Sequence, residues 1–216
     1  MICGVIDIGS NSMRLAVYEV SKEKFRILLK EKVMAGLAGY IDGNRLSEEG
    51  IARACCGLFR FRELLDLLQV EQVSVFATAS LRNISNTAEA VEQIKEKTGF
   101  AVEVISGEEE AEFGFRGALC EFDLQAGVFA DIGGASTEVA HFRAGRLIDG
   151  QSFPVGSLKL YKDCVRKILP GLGSLERITK QIQTAMGPGD LAENVYGETL
   201  VCVGGTARAA LKLIRK

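Results

Sequence analysis

Two stretches of this chain, DIGSNSMRLAVY at residues 7–18 and DIGGASTEVAHF at residues 131–142, align without a gap. Asp7 matches Asp131, Gly9 matches Gly133 and Ser12 matches Ser136. Each stretch continues an apolar run, turns sharply through small polar residues and enters a second apolar run, which reads as strand, turn and strand. The surrounding elements recur as well. Strands at 2–8, 13–20 and 24–35 precede a helix opened by Ser47, a strand at 72–78 and a helix from Asn86 or Thr87 to Gly99. A strand at 101–106 and a helix at 107–119 follow. The order then restarts with strands at 127–132, 137–143 and 146–154, helices near 157–168 and 174–186, a strand at 199–203 and a helix at 205–215. A repeat on this scale predicts two similarly built α/β halves, 1–119 and 120–216, each with helices packed on a sheet.

Bulk properties narrow the function. The 216 residues are 47% hydrophobic and 25% charged, enough to build a sizeable core. A formal net charge of −2 gives no support for a basic surface that binds DNA or RNA. No apolar run approaches the roughly 20 residues of a membrane helix, and the opening residues, which read as a strand, are not expected to act as a signal peptide. Six cysteines (Cys3, Cys55, Cys56, Cys120, Cys164, Cys202) are scattered, mostly in apolar segments. They read as small buried residues in a reducing cytosol rather than as disulfides or zinc ligands.

The two turns carry the chemistry. A tight Gly/Ser turn exposes consecutive backbone N–H groups, and such concave nests hold phosphate oxygens. An ordinary hairpin turn uses the same residues, but two copies, each with an aspartate at the strand end, favour a phosphate clamp. Carboxylates repel phosphate, so Asp7 and Asp131 need a cation beside them. Mg²⁺ takes one or two carboxylates and leaves positions for water and phosphate. Glu138, two residues beyond Ser136, is the further candidate ligand.

DIGSNSMRL, ATASLRNISN, ISGEEEAEF, DIGGASTE, FPVGSLKL and VCVGGTARAAL occur in the order found in the exopolyphosphatase / guanosine pentaphosphate phosphatase (Ppx/GppA) family. The resemblance runs from residue 4 to the end of the chain. It implies a duplicated actin-like (ribonuclease H-like) fold of two domains with an active site in the cleft between them. It also implies Mg²⁺-dependent hydrolysis of the terminal phosphate of polyphosphate or guanosine pentaphosphate.

Within that resemblance the glutamate directly before the alanine of ISGEEEAEF, Glu110, is the base for the attacking water. Ser106 and Glu109 instead have the spacing of a capping box. Arg82 matches the arginine that binds phosphate and offsets its charge, and Arg14 matches a further phosphate-binding position. Gly9, Ser10, Asn11, Ser12, Ser136 and the amides of Gly133 and Gly134 complete the phosphate cradle. His141, the one histidine, reads as structural. Two departures stand out. Ala135 replaces the family's third glycine in the second turn, and the chain stops near the helix after VGGT, an expected loss of closing elements in the second half. A homodimer is the protein partner anticipated. A non-catalytic sensor of the same ligands and an ATP-using kinase or chaperone-type ATPase remain open alternatives.

Overall fold

The computed structural model describes residues 1–22, 24–187 and 199–215. It divides into two compact units, Met1–Ile105 and Ser106–Lys216.

In the first unit, β1 (Ile2–Ile8), β2 (Met13–Val20) and β3 (Phe25–Val33) form an antiparallel meander. A 3-10 turn at Leu37–Tyr40 and a short hairpin of β4 (Ile41–Asp42) and β5 (Arg45–Leu46) lead to α1 (Glu48–Leu67). Ser47 caps α1 by accepting from the Gly50 amide at 3.2 Å. Then come β6 (Gln72–Ala77), α2 (Ala79–Arg82), α3 (Thr87–Thr98) and β7 (Glu103–Val104). The strand order is β3-β2-β1-β6-β7, with β6 and β7 parallel to β1.

Alternation along the strands decides which face is covered. Ile6, Ile8, Met13, Leu15, Val17, Val75 and Ala77 are buried with Ile51, Leu58 and Phe61 of α1. Asn86 precedes α3 but caps nothing. Its amide bonds the Leu46 backbone through Oδ1 (2.9 Å) and Nδ2 (3.0 Å), tying the β4–β5 hairpin to the body. Gly99 ends α3 at φ 73°, a left-handed position that suits glycine.

The second unit begins with α4 (Gly107–Leu119), followed by the meander β8 (Ala126–Ile132), β9 (Thr137–Arg143) and β10 (Arg146–Phe153). α5 (Ser157–Cys164), α6 (Leu172–Met186), β11 (Thr199–Val203) and α7 (Gly204–Ile214) complete it. Its strand order is β10-β9-β8-β11, with β11 parallel to β8. This is the order of the first sheet without the outermost strand, so the repeat read from the two turns extends to whole sheets.

α4 joins the second unit, one helix earlier than the 119/120 division read from the sequence. Ala111, Phe115 and Ala118 form one helix face and are buried with Phe129, Ala140 and Phe142 of the sheet. Phe115 stacks on Phe142 with ring centroids 5.0 Å apart. Glycine permits the approach: a methyl at Gly107 would lie 2.2 Å from Ser152 Cβ, and one at Gly114 2.8 Å from the Phe129 ring.

The other face of this sheet carries α5 and α6 over an apolar cavity of about 480 Å³ lined by Val128, Ala130, Ile132, Val139, Leu160 and Ile182 among others. α7 buries none of its residues, and Leu211, Leu213 and Ile214 are exposed. The cysteines also differ from expectation. All six are free, but only Cys55 and Cys164 are buried, while Cys56, Cys120 and Cys202 are exposed. Adjacent helix positions lie about 100° apart, so Cys56 turns to solvent where Cys55 meets the core.

Candidate functional site

The first turn, residues 9–12, is built by its carbonyls. The Gly9 amide donates to Ser12 O at 3.2 Å, closing the turn. Ser10 O accepts from Ala38 N (2.9 Å) and Asn11 O from Gly36 N (2.8 Å), so the segment after β3 holds the turn from one side. In a trans peptide the C=O and the following N–H point oppositely. The Asn11 and Ser12 amides therefore face away from that segment, as an anion nest requires. Ser10 and Ser12 are buried beside them. Ser80 Oγ donates to Ile8 O at 2.7 Å and pins α2 to the end of β1. Arg82, the last residue of α2, donates Nη1 to Ile105 O at 3.1 Å. Gly9, Ser10, Asn11 and Ser12 thus form one braced turn in the first unit, with Asp7 and Arg14 paired in register at its base, while Arg82 follows β6, the parallel neighbour of β1.

The second turn repeats the design with different supports. Gly133 N donates to Ser136 O at 3.0 Å. A methyl at Gly9 would lie 2.9 Å from Ser12 O, and one at Gly133 3.0 Å from Ser136 O, so both turns need glycine at the same place. Gly133 O accepts from Ser157 N (2.9 Å), and Gly134 O from Leu158 N (2.9 Å) and Lys159 N (3.0 Å). These are orphan amides at the start of α5, satisfied here by the turn. The Gly134 and Ala135 amides consequently face away from α5. Gly156 makes the contact possible, since a methyl there would lie 2.5 Å from Gly134 O. The FPVGSLKL stretch therefore braces the second turn. Ala135 is absent from the residues with positive φ, so its methyl replaces glycine without backbone strain.

Acid groups gather beside this turn. Asp131 and Glu138 are direct cross-strand partners on β8 and β9. Glu138 is only 2% exposed, and its Oε1 accepts from Ser152 Oγ at 2.8 Å. Its pKa is pushed up to about 7, first by burial and then by the charge of Glu110, with Asp131 adding to the effect. Hydrogen bonds from Ser136 and Ser152 pull it back only in part. Glu110 sits in the first turn of α4, whose N-terminus is fixed by a complete capping box. Ser106 Oγ accepts from Glu109 N at 3.1 Å, and Glu109 Oε2 from Ser106 N at 2.7 Å. The box occupies Glu109 and leaves Glu110 as the acid whose charge reaches Glu138.

Among the described residues, no three His, Cys, Asp or Glu side chains converge as ligands of one ion. Mg²⁺ does not need three, because water and substrate oxygens fill most of its positions. Asp131 and Glu138 fit such an ion: two carboxylates face each other, with Glu110 adding charge that a cation offsets. Asp7 has a different neighbour, since its cross-strand partner is Arg14.

Three contributors escaped the sequence reading. Ser152 bonds Glu138 from β10, and Gly107 lets α4 approach it. Gly204, at φ +90°, opens α7 where a methyl would lie 2.7 Å from Asp131 Oδ1. The VGGT glycines hinted at the last, but neither Ser152 nor Gly107 stands in a turn motif. His141 has the structural role expected of it, with Nδ1 2.6 Å from Asp149 Oδ1.

Two sheets of one strand order, each with a glycine turn at the end of its first strand, define a duplicated α/β fold of the actin-like class. A model of the Ppx/GppA phosphatase family matches residues 16–213, and the chain belongs to that family. It is 29% identical to Exopolyphosphatase 2 of Mycobacterium tuberculosis over 197 residues, covering 85% of this chain and 61% of that protein. It is 32% identical over 144 residues to the bifunctional 3-dehydroquinate synthase/phosphatase of Fusobacterium nucleatum, covering 62% of this chain and 22% of that protein. The chain thus spans less than two thirds of these relatives. A crystal structure of an exopolyphosphatase from Cytophaga hutchinsonii superimposes with a TM-score of 0.88 at 28% identity, covering 100% of this chain and 72% of that one.

Proposed function

We propose that the chain carries a phosphoanhydride hydrolase activity that releases the terminal phosphate of inorganic polyphosphate, with guanosine pentaphosphate as the second substrate of the same chemistry. Family membership and the exopolyphosphatase relatives support the class of reaction. The observation that carries it is the second hairpin, where an amide nest, a buried carboxylate and the Glu110 carboxylate stand together.

Phosphoryl transfer relies on positioning and charge neutralisation rather than covalent chemistry by the protein. Glu110 orients the attacking water and takes its proton. The amides of Asn11, Ser12, Gly134 and Ala135, with the hydroxyls of Ser10, Ser12 and Ser136, bind phosphate oxygens, and Gly9 and Gly133 shape the turns. Arg82 and Arg14 offset phosphate charge at the first turn. Asp131 and Glu138 would hold Mg²⁺, which when bound would neutralise phosphate charge.

The test is phosphate release from polyphosphate and from guanosine pentaphosphate, side by side, with Mg²⁺ and with a chelator. Release from polyphosphate that stops on chelation is expected. Tight binding of both substrates with no release would turn the protein into a sensor.

A further inference from the structure

Lysine and arginine are dispersed along the sequence, yet strand register gathers three of them on the first sheet. Arg14 on β2 is the direct partner of Lys32 on β3, and Ala16 is the partner of Lys30. Partners in register share a face, so Arg14, Lys32 and Lys30 stand on one side of the sheet. It is the side away from α1: Met13, Leu15 and Val17 are buried against the helix, while Arg14, Lys30 and Lys32 are exposed. The row continues from Arg14 to Asp7 at the edge of the first turn, then to Phe76 and, on the far edge, Glu103.

Like charges directly opposite one another destabilise an antiparallel pair. Other charges on these strands are offset. Arg26 meets Glu19 across the strands at 3.0 Å, and Glu31, on the opposite face, meets Arg60 of α1 at 2.5 Å. By contrast, none of the salt bridges or side-chain hydrogen bonds among the described residues involves Arg14, Lys30 or Lys32. Lysine on an edge strand discourages pairing between sheets, but that need does not place it opposite an arginine. An anion that runs along the row does. Strands about 4.8 Å apart and alternate residues about 6.6 Å apart put the three Cα positions within the Debye length of about 10 Å at 0.1 M salt. One flexible polyanion feels all three.

We propose that Lys30, Lys32 and Arg14 form a track for linear polyphosphate, leading from the outer edge of the first sheet to the first phosphate turn. The proposal rests on the polyphosphate reading and makes it specific, since a short substrate confined to the turn gains little from Lys30 and Lys32.

Calorimetric titration of the full chain with tripolyphosphate and with long-chain polyphosphate tests it. The unaltered protein binds the long chain more tightly. Lys30→Gln/Lys32→Gln loses about tenfold in long-chain affinity and shows a shallower salt dependence, because fewer counterions are displaced. Lys95→Gln/Lys97→Gln, an equal charge change on α3, retains the long-chain affinity. An unchanged long-chain affinity in the first variant, an equal loss in the second, or no long-chain preference at all overturns the track. Phosphate release, measured on the same samples, separates the two readings. Without release but with this binding pattern, the hydrolase fails and the track stands; with release but indifference to Lys30 and Lys32, the reverse holds.

Discussion

Asp131 and Glu138 occupy in the second hairpin the cross-strand positions that Asp7 and Arg14 occupy in the first. Duplicated turns thus carry different charge pairs. The first sets an acid opposite a base in register. The second sets two carboxylates face to face, with Glu138 almost wholly removed from water. Burial and like charge both favour the protonated acid, and a divalent cation reverses that preference.

The pH dependence of stability follows from Glu138. Its folded pKa, about 7, lies above the ordinary value of 4.5, so folding takes up a proton between these values. The stabilising contribution is complete below about 4.5 and is lost as pH rises through about 7. In metal-free protein, the Tm contribution of this group falls from pH 5 to pH 8. Glu138→Gln flattens that slope and raises Tm at pH 8. Thermal melts of the two proteins across this range check it, and parallel slopes would contradict it.

The adjacent glutamates of α4 separate cleanly. Glu109→Ala breaks half of the capping box and costs about 1 kcal/mol of stability, with turnover largely retained. Glu110→Gln leaves the capping box intact and lowers turnover instead, because it removes the proposed base. Denaturant melts paired with turnover measurements distinguish the two.

Docking of α4 depends on Gly107. Gly107→Ala pushes a methyl into Ser152 and costs roughly 1–3 kcal/mol, as overpacking does. Ser152→Gly in the same chain removes the obstacle, so the double variant recovers part of that loss. A double-mutant cycle in urea measures the coupling; additive effects would show that the helix seats elsewhere.

Ala135→Gly tests the departure in the second turn. Because Ala135 already has an ordinary backbone angle, glycine brings no gain in turnover. It lowers stability by about 0.4–1 kcal/mol through the added freedom of the unfolded chain. A clear rise in activity would show that the methyl obstructs phosphate.

The sequence was most informative where structure is local. The two turns, the Ser47 cap, the Ser106–Glu109 box and the stop at Gly99 depend on neighbours a few residues away. Long-range pairing was less legible. Ser152 meets Glu138 only because β10 pairs with β9, and Gly107 looks like a mere helix start until Ser152 lies against it. Asn86 was one of two residues, with Thr87, read as the cap of α3, yet its amide reaches Leu46 in a hairpin too short to show a strand pattern. The Arg14–Lys32 pair became visible only through register, which periodicity leaves undetermined.

The most direct measurement is phosphate release from polyphosphate with Mg²⁺ by the unaltered chain and by Glu110→Gln, with substrate binding followed in parallel. The expected result is release by the former, a fall of about 10²–10⁴ in rate for the latter, and binding retained by both. Equal rates in the two proteins, or no release by the unaltered chain, would contradict the assignment of Glu110 as the base of a phosphoanhydride hydrolase.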